Sequence, residues 1–440
     1  MRRTASLILA GIIVASLIAV SAPVNARRMP GPVVLLDLSH GENPSGIDLI
    51  MSIFPEAYWY ILVADEAAAK SLPQEIASKA TKIQVGGFAG EDFAGAKDAI
   101  DMIIIGQPTV EFTEDEINAI VEWWTAQHDA RRAIWFAADS DYPAQGGNLE
   151  IAMTANNAVL EALGAKLRHD YVSVEDPESN AGKPYRVVGQ VEPDDPVSFL
   201  AYGAQKVLMH GPGAVAWVDE GGNWHSLSKD KPDNVYRIVW TTDKARIVEH
   251  QPKGPGSPGS LGMAYHVGDT GKFVMLAAEV VNGKDVIIVS GESPYGDYQP
   301  MVTYSYHGVD LDGPRFIRNM LLWATGVMGE LKGVAAVGKV ASQVSSISQK
   351  VDSIEGKVNN LDSKVSSLES KISGLESKVS GLDNKISGLD DKISQASSKA
   401  SEAYDKADSA SSSASTATAL GAIALILSII ALALPFIKKK

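Results

Sequence analysis

Six acidic or imidazole side chains fall where the pattern of the chain predicts the carboxyl ends of strands. They are Asp37, His40 and Glu42 after one apolar run, Asp139 and Asp141 after another, and Glu292 after a third. In open α/β sheets, ligands bind outside the carboxyl ends of strands, where the strand order reverses. Carboxylates joined by an imidazole and by backbone carbonyls suit a cation, with Ca2+ as the candidate, or the hydroxyls of a sugar. The commoner role for such residues is structural: Asp37 and His40 would cap the next helix and bond the loop backbone.

Composition removes several other chemistries. The chain has no cysteine, which excludes a thiolate nucleophile, a disulfide framework, a Cys-ligated zinc and a lipidated N-terminal Cys. Its net charge is −14, with 21% of residues charged, which speaks against nucleic acid as a partner. Ser140 lies in Ala138-Asp139-Ser140-Asp141 without the flanking small residues of a nucleophile elbow, so no catalytic residue is assigned.

The elements that must position these residues alternate between strand and helix, which predicts an α/β core. Val33–Asp37, Trp59–Val63, Lys82–Val85, Asp101–Gly106 and Ala133–Ala137 read as strands. Gly46–Phe54 and Leu149–Leu163 read as helices, the second stopped by Gly164. Thr113-Glu114-Asp115-Glu116 is a capping box that opens another. After Asp176 the pattern turns β-rich, through Val187–Val191, Val215–Val218, Tyr236–Thr241 and Phe273–Val289. Asn282-Gly283 predicts a hairpin inside the last of these. Gln251–Gly262, dense in Pro, Gly and Ser, reads as a loop, and Arg315–Thr325 as a closing helix. Trp123, Trp124, Trp135 and Trp323 each fall inside an apolar element and are expected in the core.

Three patterns carry a family resemblance. A strand ends in Asp37-x-x-His40-Gly41, a helix carries Asn157-Ala158-Val159-Leu160-Glu161-Ala162-Leu163-Gly164, and Val286–Gly291 precedes Asn319-Met320-Leu321-Leu322-Trp323. Together they resemble the glutamine-amidotransferase-like domains of gliding-motility, intraflagellar-transport and archaeal or bacterial envelope proteins. The resemblance covers most of residues 32–328 and implies a flavodoxin-like, three-layer α/β sandwich with β-rich additions. Catalytic members use a Cys on a tight turn backed by His and Glu; without Cys, the glutaminase reaction is not expected here.

The two ends of the chain point to a membrane. Residues 1–26 read as a signal peptide: Arg2 and Arg3, an apolar run from Leu7 to Val20, and Val24-Asn25-Ala26 as the cleavage site. Residues 419–437 are apolar without a charge and just long enough to span a ~30 Å hydrocarbon core. Lys438-Lys439-Lys440 then places a minute tail, 438–440, in the cytoplasm and the ectodomain, 27–330, outside. This single-pass layout, with no sorting motif and no lipoprotein Cys, is that of archaeal cell-surface proteins.

Residues 331–418 read as a parallel coiled coil. The a positions include Val351, Val358, Val365, Ile372, Val379, Ile386 and Ile393; the d positions include Ile354, Leu361, Leu368, Leu375, Leu382 and Leu389. A strict seven-residue apolar repeat imposes a left-handed supercoil. Every g position from Lys350 to Lys406 is Lys, and every e position from Glu355 to Asp390 is acidic, so Lys357 meets Asp362 of a parallel neighbour. The β-branched d residues Val340, Ile347 and Ile354 favour a homotrimer over a dimer. Gly356, Gly374, Gly381 and Gly388 lower helix propensity, so the chains need one another to be helical. The expected function is that of a non-enzymatic envelope stalk, with a surface-layer protein as a candidate partner. The alternatives are a receptor or transporter-associated module for carbohydrate or peptide, and a surface hydrolase.

Overall fold

In the computed structural model, residues 29–140, 150–248, 262–296 and 298–437 are described, which leaves the signal-peptide region, Asp141 and most of Gln251–Gly262 outside. The chain divides into two units, Met1–Ala341 and Ser342–Lys440.

The first unit is a mixed α/β domain. Its first five strands are β1 Val33–Leu38, β2 Tyr58–Val63, β3 Lys82–Val85, β4 Met102–Ile105 and β5 Ala133–Ala137. There follow β6 Leu167–His169, β7 Ser173–Glu175, β8 Arg186–Val191, β9 Lys206–His210, β10 Val215–Val218 and β11 Trp224–Ser226. The later strands are β12 Val235–Trp240, β13 Ala245–Val248, β14 Thr270–Gly271, β15 Val274–Val281 and β16 Asp285–Ser290. Ten of them make one sheet in the order β3-β2-β1-β4-β5-β16-β15-β12-β8-β9. From β3 to β16 all neighbours are parallel; from β16 to β9 all are antiparallel. Two three-stranded sheets, β11-β10-β6 and β14-β13-β7, supply the β-rich additions.

The parallel half runs 3-2-1-4-5, whereas the flavodoxin order is 2-1-3-4-5. Two successive crossovers proceed outward from β1 before the chain returns to its other side. The reversal of strand order therefore falls between β1 and β4.

Both faces of this sheet are covered, which is why β1 and β4 read as unbroken apolar runs. Val34, Leu36 and Leu38 face a core closed by the helices Ile47–Ile53 and Gly313–Ala324, through Ile47, Ile50, Phe316 and Met320. Val33 and Leu35 face the other, closed by Glu114–Thr125 and Glu150–Ala162, through Ile120, Trp123, Val159 and Leu160. The result is three layers. The four tryptophans expected in the core are all buried. The hairpin between β15 and β16 turns on Asn282 and Gly283, at φ 53° and 68°.

The helix that includes the second unit runs from Gly329 to Ile437. On this single chain its apolar seam is open, from 50% exposure at Val365 to 64% at Ile393. On another side Ser363, Ser370 and Ser377 each donate a hydroxyl hydrogen bond to the carbonyl four residues back, all at 3.0 Å. Among the described residues it contains one stretch long and apolar enough to cross a membrane.

Candidate functional site

The six residues picked out from the sequence do not form one cluster. Asp37, His40 and Glu42 come together; Asp139 and Glu292 belong to a separate neighbourhood; Asp141 lies outside the described residues.

Asp37 is the penultimate residue of β1 and is fully buried. Its Oδ1 accepts hydrogen bonds from the N–H and hydroxyl of Ser39, at 2.9 and 2.6 Å, which bends the chain out of the strand. Its Oδ2 lies 2.9 Å from His40 Nδ1. Glu42 folds back so that its Oε2 accepts the His40 N–H at 2.9 Å. Between them Gly41 takes φ +79°, and a Cβ there would lie 2.2 Å from Thr109 Oγ1, so both conformation and space require glycine.

The capping expectation is corrected. The helix Ile47–Ile53 starts at Gly46 in a left-handed conformation, with no side chain bonded to its end. Asp37 and His40 instead bind their own loop and the elements across from it, because the positive-φ Gly46 already turns the chain into the helix.

His40 is held on its other nitrogen by a residue from a distant element. Nε2 lies 3.4 Å from Oε1 of Glu116, while Oε2 of Glu116 closes the capping box with the N–H and hydroxyl of Thr113. Phe112 packs on the imidazole with ring centroids 4.0 Å apart, and Phe88 stacks at 6.0 Å. Burial would depress the imidazole, but hydrogen bonds to Asp37 and Glu116 and the charges of Asp37 and Glu42 raise it to about 10. Burial likewise opposes ionisation of Glu116, yet its bonds from His40 and Thr113 hold it down at about 2. Glu42 is pushed well above the usual carboxylate range, by burial first and by the adjacent Asp37 charge second. The sequence exposed Glu116 as a capping residue but gave no sign that it reaches His40.

The loops after β1 and β4 are also tied at the level of the backbone. Thr109 donates its N–H and hydroxyl to the His40 carbonyl, at 2.8 and 3.2 Å. Tyr295, from the loop after β16, donates its hydroxyl to the Asp37 carbonyl at 2.6 Å and accepts the Gly106 N–H at 3.1 Å. The crevice where strand order reverses is thus filled by the protein's own tyrosine. A Cβ on Gly106 would come within 2.9 Å of that ring.

Asp139 and Glu292 flank the Gly211–Gly213 turn after β9. Asp139 accepts from Gln107 Nε2 at 3.3 Å and from its neighbour's N–H, that of Ser140, at 2.6 Å. Glu292 accepts the N–H of His210 at 2.5 Å and that of Ser293 at 2.8 Å. Each carboxylate thus accepts a backbone N–H that needs an acceptor, and Asp139 a side-chain amide as well. Ser140 is fully buried.

No protein-family model matches the chain, and no curated protein matches it in sequence. Among solved structures, the mmIFT52 N-terminal domain is similar over 67% of this chain and 97% of its own, at 12% identity and a TM-score of 0.37.

Proposed function

We propose that the chain is a membrane-anchored stalk of a cell envelope. Parallel copies pair along residues 331–418, probing outward from a span at 419–437, and carry a non-catalytic head of the glutamine-amidotransferase-like kind. By architecture the envelope is archaeal, and a surface-layer protein is the partner that such a stalk would hold. The observation that carries this reading is the open seam. A helix that exposes Val351, Ile354, Val358 and Leu361 at more than half of their area is not stable alone in water. A seven-residue repeat, flanked by Lys at every g and acid at every e, suits a second and third copy in parallel register.

Sedimentation equilibrium of the full chain in density-matched detergent tests the reading, beside a chain that ends at residue 330. A trimer for the first and a monomer for the second are expected. A full chain that stays monomeric at micromolar concentration ends the stalk model.

A second reading, a head that binds carbohydrate, is favoured by Tyr298 and Tyr304, exposed at 71% and 68%. Tyr298 lies against His210 with ring centroids 5.3 Å apart. Rings held open in this way suit the face of a sugar, and a glycan array on the full chain tests it.

A further inference from the structure

Local hydrogen bonding does not account for every polar atom in the loop after β1. One donor atom each from Asp37, His40 and Glu42 falls within 4.8 Å of the other two, and all three residues are buried. Glu42 Oε1 has no hydrogen-bond partner, and Glu42 is only 7% exposed. A buried carboxylate oxygen left without a donor is rare, because it gives up its hydration for nothing. Two carboxyl groups and a third from Glu116 converge here on a single imidazole. Such a set is balanced either by protons, on the imidazole and between the carboxyls, or by a metal cation that displaces them.

We propose that Asp37, His40 and Glu42 hold one divalent transition-metal ion of the zinc or manganese class, with Glu116 as the outer carboxylate that steadies the imidazole. The donor set selects the class. Ca2+ takes six to eight oxygen ligands, roughly, in a roomy site, whereas an imidazole with two carboxylates suits zinc, manganese or iron. His40 also has a carboxylate on each ring nitrogen, Asp37 at 2.9 Å from Nδ1 and Glu116 at 3.4 Å from Nε2. A histidine that binds metal through one nitrogen characteristically donates its other N–H to a carboxylate. Phe88 and Phe112 around the ring supply the dry wall that keeps solvent from competing. The inference stands apart from the stalk reading, since it concerns the head alone.

The test uses the full chain in detergent, purified without added metal and analysed by inductively coupled plasma mass spectrometry. It is then stripped with chelator and titrated with zinc, manganese or calcium. About one equivalent of metal per chain is expected, with a higher Tm in zinc or manganese than in calcium. Glu42→Gln, which keeps the shape and removes the charge, should abolish binding. Glu116→Gln should keep the stoichiometry and weaken affinity by about 10–100-fold. X-ray absorption of the zinc-loaded wild type gives a readout that needs no variant: one imidazole nitrogen among oxygen neighbours supports the site, and any other shell overturns it. A folded, stripped chain that takes up no metal also overturns it, and leaves the two carboxyls sharing a proton. So does zinc that survives Glu42→Gln but is lost with His225→Ala, which would place it on the half-buried Asp219–His225 pair, 2.9 Å apart.

Discussion

The hydroxyl of Tyr295 stands 2.6 Å from the carbonyl oxygen of Asp37, at the point where β1 and β4 part. The last pair in register between these strands is Leu36 with Ile104. One rung further, the Asp37 carbonyl would meet the Gly106 N–H directly; the phenol takes that place, donating to one and accepting from the other. A side chain from the loop after β16 thereby completes the ladder of two strands that have already begun to splay.

Tyr295→Phe keeps the ring and removes the rung. Two buried backbone groups lose their partner, which costs about 1–3 kcal/mol. Urea denaturation of the full chain, followed by tryptophan fluorescence, measures it. A change below about 0.5 kcal/mol would mean that water or a backbone shift replaces the hydroxyl.

Charge reversal tests the stalk. Lys364, Lys371, Lys378 and Lys385 changed to Glu would face Glu369, Glu376, Asp383 and Asp390 of each neighbour with like charge. One exposed pair is worth only about 0–1 kcal/mol, so a single change should do little, while four repeated around the assembly shift it at micromolar concentration. Changing the four acids to Lys as well should restore pairing, less visibly at high salt. Thermal melting by circular dichroism is the readout. If the doubly reversed rod is no more stable than the singly reversed one, the helices are not parallel and in register.

His169 predicts a pH dependence. It is almost fully buried on β6 with neither ring nitrogen hydrogen-bonded, and burial, then the Arg168 charge, lowers it from 6.5 to about 3. The folded state therefore keeps it neutral while the unfolded chain takes up a proton below pH 6.5. Its contribution is fully present above 6.5 and is lost progressively as pH falls towards 3. His169→Phe should flatten the urea midpoint between pH 6.5 and 4.5, relative to wild type. An unchanged slope would show that the imidazole is reached by water in the native state.

The absence of cysteine predicts no glutaminase activity. Ammonia release from glutamine above that of a heat-killed sample would contradict it.

Much of the parallel half was legible because its signals are local. Ala133–Ala137 and Lys82–Val85 are apolar or alternating runs bounded by polar turns, and the structure places strands at those same residues. Thr113 and Glu116 announce a helix start within four residues, and Asn282-Gly283 a hairpin within two. The strands β6, β7 and β13 have no such signature, being three or four residues long and paired with partners far along the chain, and β11 is a three-residue strand whose pairing with β10 across a short turn leaves little pattern to read. The site divides in the same way. Asp37, His40 and Glu42 are neighbours in sequence and could be grouped by eye. The approach of Glu116 to His40 depends on packing between the loop after β1 and a helix that follows β4, which no local pattern encodes. Glu292 stands out in the sequence because strand ends favour ligands; in the structure its carboxylate accepts the N–H groups of His210 and Ser293, contacts that no local pattern announces.

The serines on the long helix have a mechanical consequence. Ser363, Ser370 and Ser377 all occupy the f position, opposite the seam, and each draws a carbonyl four residues back into a second hydrogen bond. A carbonyl shared in this way tilts outward, and the helix bends slightly at that turn. The three hydrogen bonds recur every seven residues, so any bend that they favour rotates with the heptad and not with the 3.6-residue turn. Curvature of that period is the curvature of a left-handed superhelix. If copies pair as proposed, the outer face would favour the same coil that the seam requires.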